Sequence, residues 1–327
     1  MARTCALMVA AVLWLLAVFP GWTLAGSLTK LSFIPQWVPQ AQFAGYYAAL
    51  EKGFYEKYGI DLEIIPGGPG RSPADLLERR EADFASLWLS TGIQLRAGGL
   101  KVVNIAQILQ RSALMLVAKK SRGIEQIVDI NGRKVGLWGP VFQLQPRAFF
   151  QKYNLDVRIV HQSYSVNLFL RDGVDVASAM WYNEYHTILN CGINPDELTT
   201  FFYHEHGLNF PEDGLYVLEE TYARHPELCR AFVRASLEGW RYAYAHPDEA
   251  LRIVMRNLAK EHIPATRVHQ RWMLDRMEDL SMPRDDGDAP LGILLAGDYY
   301  RVGWSLKESG LIEAIPEFTS FFRGHFQ

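Results

Sequence analysis

From Leu31 onward the apolar positions fall into short runs separated by longer amphipathic stretches, a pattern that predicts alternating strands and helices. Leu31 to Ile34 reads as a first strand. Gln40 to Lys52 reads as a helix with Phe43, Tyr47, Leu50 and Phe54 on one face, stopped at Gly53. Asp61 to Ile65 alternates strictly, as a half-buried strand does. Gly67-Gly68-Pro69-Gly70 reads as a turn, because it lacks the spacing of a phosphate-binding loop. Ser72 then caps a new helix, with Pro73 in its first position and Asp75 in its first turn. Strands follow at Asp83 to Leu87, Val102 to Gln107 and Ala113 to Ala118, with a helix at Leu89 to Ala97.

A second series opens with the strand Val135 to Trp138. It continues through a helix at Leu144 to Tyr153, a strand at Val157 to Val160, a helix at Val166 to Arg171 and a strand through Val174 to Met180. Leu215 to Leu218 is a last strand. From Thr221 on the pattern is mostly helical, with Pro226, Pro247 and Pro264 near helix starts. The order predicts an α/β protein of two lobes, the second inserted into the first, with a hinge of two crossing strands. The expected segments are 27–117 and 215–327 for lobe I and 118–214 for lobe II.

Four strand-like runs end in tryptophan: Trp37, Trp88, Trp138 and Trp181. Two of these runs share an Asp-x-Ala-Ser pattern, Asp83-Phe84-Ala85-Ser86 and Asp175-Val176-Ala177-Ser178. Any one indole could equally be a core residue, but in α/β sheets ligands sit at the carboxyl ends of strands. Trp181-Tyr182-Asn183-Glu184 adds an amide and a carboxylate at such an end. Glu184 could accept hydrogen bonds from an amino group and ring nitrogen of a flat heterocycle, and Asn183 could satisfy a neighbouring donor and acceptor. A sulfonate or nitrate would want arginine or helix N-termini instead. The expected ligand contacts are Trp37, Tyr46, Trp88, Trp138, Asn183 and Glu184.

Composition narrows the function classes. The 327 residues are 49% hydrophobic and 21% charged with a net charge of −3, as in a folded protein with no basic surface for nucleic acid. Nucleophile elbow, HExxH, P-loop and dinucleotide fingerprints are missing from the sequence. His204-Glu205-His206 would set two histidines on one side of a strand, with no third metal ligand signalled, and reads as a solvated segment. Glu219-Glu220 and Asp285-Asp286 read as exposed turns or helix ends. Cys191 and Cys229 could pair or stay free. Arg3, the apolar run from Ala6 to Phe19 and the small residues near Ala25 read as an export signal, residues 1–25, cleaved near Ala25 or Gly26 or retained as an anchor. The expected location is periplasmic.

Several segments resemble the NMT1/THI5-like (SsuA/THI5) family of ABC transporter substrate-binding proteins. They are Trp37-Val38-Pro39-Gln40, Ala44-Gly45-Tyr46-Tyr47, Glu51-Lys52-Gly53-Phe54-Tyr55, Gly59-Ile60, Asp83-Phe84, the run from Val128 to Gly136, and Tyr182-Asn183-Glu184. The resemblance implies a type II periplasmic-binding fold and capture of a thiamine pyrimidine precursor, hydroxymethylpyrimidine or formylaminopyrimidine, or a related heterocycle, for a membrane permease. It also implies that Trp37 and Glu184 hold the ring, with no cofactor and a monomeric chain. The alternatives are a pyrimidine-synthesis enzyme of the fungal kind, a binder of a sulfonate or riboflavin-like ligand, or a sensor-linked binding protein. Against the enzyme, the chain has neither the expected histidine near Ser90-Thr91-Gly92 nor a cysteine-rich run. Gly136-Leu137-Trp138-Gly139-Pro140-Val141-Phe142 is bulky where those relatives have a phosphate loop, which points to an unphosphorylated ligand.

Overall fold

The computed structural model describes residues 27–282 and 290–324; the expected signal segment and Asp285-Asp286 lie outside them. Ten strands form two five-stranded sheets. The first comprises β1 (Thr29–Ile34), β2 (Ile60–Ile64), β3 (Phe84–Leu87), β4 (Val102–Gln107) and β10 (Gly214–Leu218), in the order β2-β1-β3-β10-β4. The second comprises β5 (Leu114–Lys119), β6 (Lys134–Leu137), β7 (Arg158–His161), β8 (Val176–Met180) and β9 (Leu198–Phe202), in the order β7-β6-β8-β5-β9. β10 runs antiparallel to β3 and β4, and β5 antiparallel to β8 and β9. Both are the strands by which the chain enters a sheet after crossing over, so each arrives against the prevailing direction.

The fold is thus an α/β fold of two lobes, the type II periplasmic-binding architecture. The expected boundary at 117/118 falls inside β5, which lies wholly in the second sheet. We draw the lobe boundaries at the two crossings, residues 108–113 and 203–213. A buried carboxylate ties these crossings together: Glu212 Oε1 accepts the Ser112 hydroxyl and the Ala113 N–H, each at 2.8 Å.

Lobe I owes its thickness to the helix Pro226–Ala245, which lies across the helix Ala44–Glu51. Gly45 and Gly239 make the approach possible. A Cβ on Gly239 would sit 2.2 Å from the Gly45 carbonyl oxygen, and one on Gly45 would enter the Trp240 indole. Under this pair, Phe232 stacks on Phe84 with ring centroids 4.0 Å apart. The expected helix from Gln40 is in fact a single 3-10 turn, Ala41–Phe43, followed by the α-helix, and Leu50 faces solvent rather than the core. Gly53, at φ +71°, ends it as expected and starts the separate short helix that holds Phe54. Ser72 accepts the Asp75 N–H and Pro73 takes the first helical position, also as expected. His204-Glu205-His206 forms a 3-10 turn and not a strand, with His204 against the Ser112 carbonyl and His206 against the Tyr153 hydroxyl. Cys191 and Cys229 are both free.

Candidate ligand-binding cleft

The carboxyl ends of four parallel strands, two from each sheet, converge on one cleft between the lobes. β1 leads to Gln36 and Trp37, β3 to Trp88, β6 to Trp138, and β8 to Met180, Tyr182, Asn183 and Glu184. The cavity measures about 350 Å³, within the usual size of a small-molecule site. A larger one, about 540 Å³, lies along the helix Pro226–Ala245 and residues 290–293, where no parallel strand delivers a side chain.

Aromatic rings from both lobes meet across the cleft. Trp37 of lobe I stands edge-on to Tyr164 of lobe II at 4.9 Å, and Trp88 of lobe I edge-on to Phe142 of lobe II at 5.0 Å. Trp138 packs on Phe142 at 5.7 Å and is fixed by donating its indole N–H to the Ser163 carbonyl at 3.1 Å. These flat surfaces suit a planar ligand. Among the described residues that line the cavity there is no Lys, Arg or His. An anion would find no cationic side chain there; the start of the short helix Pro73–Glu78 is also in the wall.

The polar part of the wall is built from carboxylates and carboxamides. Glu184 opens the helix Glu184–Asn190 and is almost fully buried. Its Oε2 accepts the Met180 N–H at 3.0 Å, and its Oε1 accepts the Asn183 amide at 2.8 Å. Burial pushes its carboxyl up to about 7, against the opposing pull of those hydrogen bonds. The Asn183 carbonyl in turn faces His269 Nε2 at 2.9 Å, and His269 Nδ1 faces His186 Nδ1 at 2.8 Å. The polarity of this chain follows from its first member. An ionised Glu184 only accepts, so Asn183 gives it the NH₂ and offers its oxygen to the His269 Nε2–H. Neutral His269 then accepts at Nδ1 from the His186 Nδ1–H, and the Asn190 amide, 3.1 Å from the same His186 nitrogen, must turn its oxygen towards it. Burial lowers the pKa of both histidines, consistent with neutral rings.

Five of the six expected contacts line the cleft: Trp37, Trp88, Trp138, Asn183 and Glu184. Tyr46 does not. It is buried in the lobe I core, 4.7 Å from the Phe33 ring and 5.4 Å from Trp240, because its helix turns that face onto the helix Pro226–Ala245. Trp181 is also misplaced by the expectation. It sits in the turn that follows β8 and is not among the residues that line the cleft. There it packs against Phe202 and under the Arg276 guanidinium. The sequence reading missed, among others, Gln36, Gln40, Gln42, Phe142, Tyr164 and Tyr182 in the wall. Tyr182 sits in the turn after β8, and the glutamines carry no local signal.

Fold and cleft together define a two-lobed solute-binding architecture, and comparison with known proteins places it further. The family profile described as NMT1/THI5 like matches residues 40–250, and the chain belongs to that family. It is 26% identical to the riboflavin-binding protein RibY of Chloroflexus aurantiacus over 79% of this chain and 73% of that one. It is 22% identical to the formylaminopyrimidine-binding protein of Halalkalibacterium halodurans over 80% and 82%. Proteins named 4-amino-5-hydroxymethyl-2-methylpyrimidine phosphate synthases also match, for example that of Legionella pneumophila at 23% over 69% and 73%. Among solved structures, the periplasmic aliphatic sulphonate binding protein SsuA of Escherichia coli superposes with a TM-score of 0.69 at 14% identity, covering 90% and 92%.

Proposed function

We propose that this chain is a periplasmic solute-binding protein that captures a small, flat, amino-bearing heterocycle of the pyrimidine class and passes it to an ABC permease. The observation that carries this reading is the cleft itself: indoles from three strand ends and the buried Glu184 around a cavity without a cation. The reading is of a binder and not an enzyme. Glu184, Asn183, Gln36 and Gln42 are engaged in hydrogen bonds with one another or with Met180 and Asp213, not set as nucleophile and base. Expected periplasmic location rests on the fold and on the apolar N-terminal run; no helix among the described residues is long and apolar enough to cross a membrane. A larger flavin-like ring system is the second reading, favoured by the relative named for riboflavin and by the spread of rings across the cavity.

Isothermal titration calorimetry with formylaminopyrimidine, hydroxymethylpyrimidine and riboflavin tests the ligand. Heat with either pyrimidine supports the first reading, heat with riboflavin alone supports the second, and no heat with any removes both.

The buried acids predict two opposite pH dependences. Glu184 and Asp213 are pushed up to about 7 and Glu212 to about 8, each chiefly by burial. A carboxyl whose folded pKa is raised binds its proton more tightly folded than unfolded. Its contribution to stability is therefore full below the ordinary carboxyl range and is lost as pH rises through 7 to 8. The ligand-free protein should melt at a higher temperature at pH 5.5 than at pH 8.5. Binding through an ionised Glu184 should go the other way, weakening by up to about tenfold per unit below pH 7. Calorimetry and thermal melts over this range check both, and affinity that is flat from pH 5.5 to 8.5 would exclude an ionised Glu184 as the ligand's partner.

A further inference from the structure

The lobe I side of the cleft carries three glutamines, Gln36, Gln40 and Gln42, all in its lining. Behind them stands Asp213, outside the lining, almost fully buried at the end of the second crossing and held at φ +46°. Asp213 Oδ1 accepts the Gln36 side-chain amide, and Oδ2 accepts that of Gln42 at 2.7 Å. Gln42 Oε1 accepts the Gln40 amide at 2.6 Å. Above pH 7, where Asp213 is ionised, its carboxylate has no proton to give and fixes the sense of every amide bonded to it. Gln36 and Gln42 must turn their NH₂ ends to Asp213, and Gln40 must turn its NH₂ end to Gln42. The carbonyl oxygens of Gln36 and Gln40 are the ends outside this chain. A free amide could present either end to a ligand; these cannot turn over without leaving a donor facing a donor or a buried oxygen facing an oxygen.

We propose that Asp213 is a positioning residue which, through Gln36, Gln42 and Gln40, presents hydrogen-bond acceptors to the ligand on the lobe I side and so selects a ring edge that carries N–H donors. The inference rests on the reading of this cleft as the ligand site. It adds a second acceptor wall, opposite the one built around Glu184 in lobe II. The ligand class is then narrower than a flat heterocycle: a ring whose N–H donors reach both walls, for which one exocyclic amino group suffices by giving one N–H to Glu184 and the other to the glutamine oxygens. A carbonyl-bearing analogue of the same shape would set oxygen against oxygen and be rejected, as sites with buried, committed polar groups reject mismatched partners.

The test uses the full chain at pH 8, where Asp213 is ionised, and two probes of similar shape, 4-amino-5-hydroxymethyl-2-methylpyrimidine and its 4-oxo counterpart, which carries a ring N–H beside its carbonyl, titrated by calorimetry into the wild type, Asp213→Asn and Gln36→Met. The wild type should prefer the amino probe by roughly tenfold or more. In Asp213→Asn the amide at 213 itself donates, so one glutamine must turn over, and the preference should fall at least about fivefold with the oxo probe gaining or holding affinity. Gln36→Met removes one acceptor and one of the two amide partners of Asp213 but keeps the acid and its Gln42 bond, and should also narrow the preference, which keeps the test sound if the Asp213 variant folds poorly. General damage would weaken both probes alike and leave their ratio unchanged. An unchanged ratio in a variant that still binds overturns the inference while the site reading stands, and a wild type that favours the oxo probe overturns it too. A wild type that binds neither probe overturns the pyrimidine reading and this inference with it.

Discussion

Replacing Glu184 by alanine is expected to weaken ligand binding by about 2–3 kcal/mol, roughly 30- to 150-fold, the scale of hydrogen bonds to a charged group. The site gives three reasons for so large an effect. The carboxylate is almost fully buried, so water competes poorly for its bonds once they are formed. It is the acceptor that orients Asn183, which lines the cleft beside it and leans on His269 of lobe I. It also accepts the Met180 N–H at the end of β8, which holds the turn in place. Glu184→Gln separates these roles. Glutamine can still accept the Met180 N–H, but it brings an NH₂ toward Asn183 and no charge to the ligand, so affinity should stay at least about tenfold below wild type. If glutamine restored full affinity, Glu184 would be a cap for its own turn and not a partner of the ligand. Titration calorimetry of both variants decides.

Phe232→Ala is expected to cost about 3–5 kcal/mol of stability, the range for truncating a buried phenylalanine. Phe232 is fully buried and its ring lies flat on Phe84, at 4.0 Å and 4°. Phe33 at 5.5 Å and Tyr55 at 5.7 Å complete its surroundings. Phe33 belongs to β1 and Phe84 to β3, the strands that deliver Trp37 and Trp88 to the cleft. The helix Pro226–Ala245 presses on this spot through the Gly45–Gly239 approach, so the cavity left by alanine has little freedom to collapse. Urea unfolding should show the midpoint shift, and a loss under about 1 kcal/mol would mean that lobe I repacks more freely than its close helix contact allows.

Much of this architecture was legible in the chain. Runs such as Val102 to Gln107 carry a strand's composition and length, and the Ser72-Pro73 start is chemistry that acts within four residues. Three of the four indoles at strand ends lie in the cleft for the reason the pattern suggested, since strand carboxyl ends face it. The misreadings came from orientation. Tyr46 lies on a helix whose packing on the helix Pro226–Ala245 no local spacing reveals, and Trp181 falls in the turn after β8, where strand alternation no longer guides it. The least legible residue is Asp213. It meets Gln36 and Gln42 across more than 170 positions of sequence, and only the folded crossing brings them together.

The most direct measurement is a crystal structure of the protein grown with formylaminopyrimidine. The account predicts a ring lying among Trp37, Trp88 and Trp138, with an exocyclic amino group within hydrogen-bond distance of a Glu184 oxygen. A ring bound outside this cleft, or one inside it with Glu184 turned away and still bonded only to Met180 and Asn183, would contradict it.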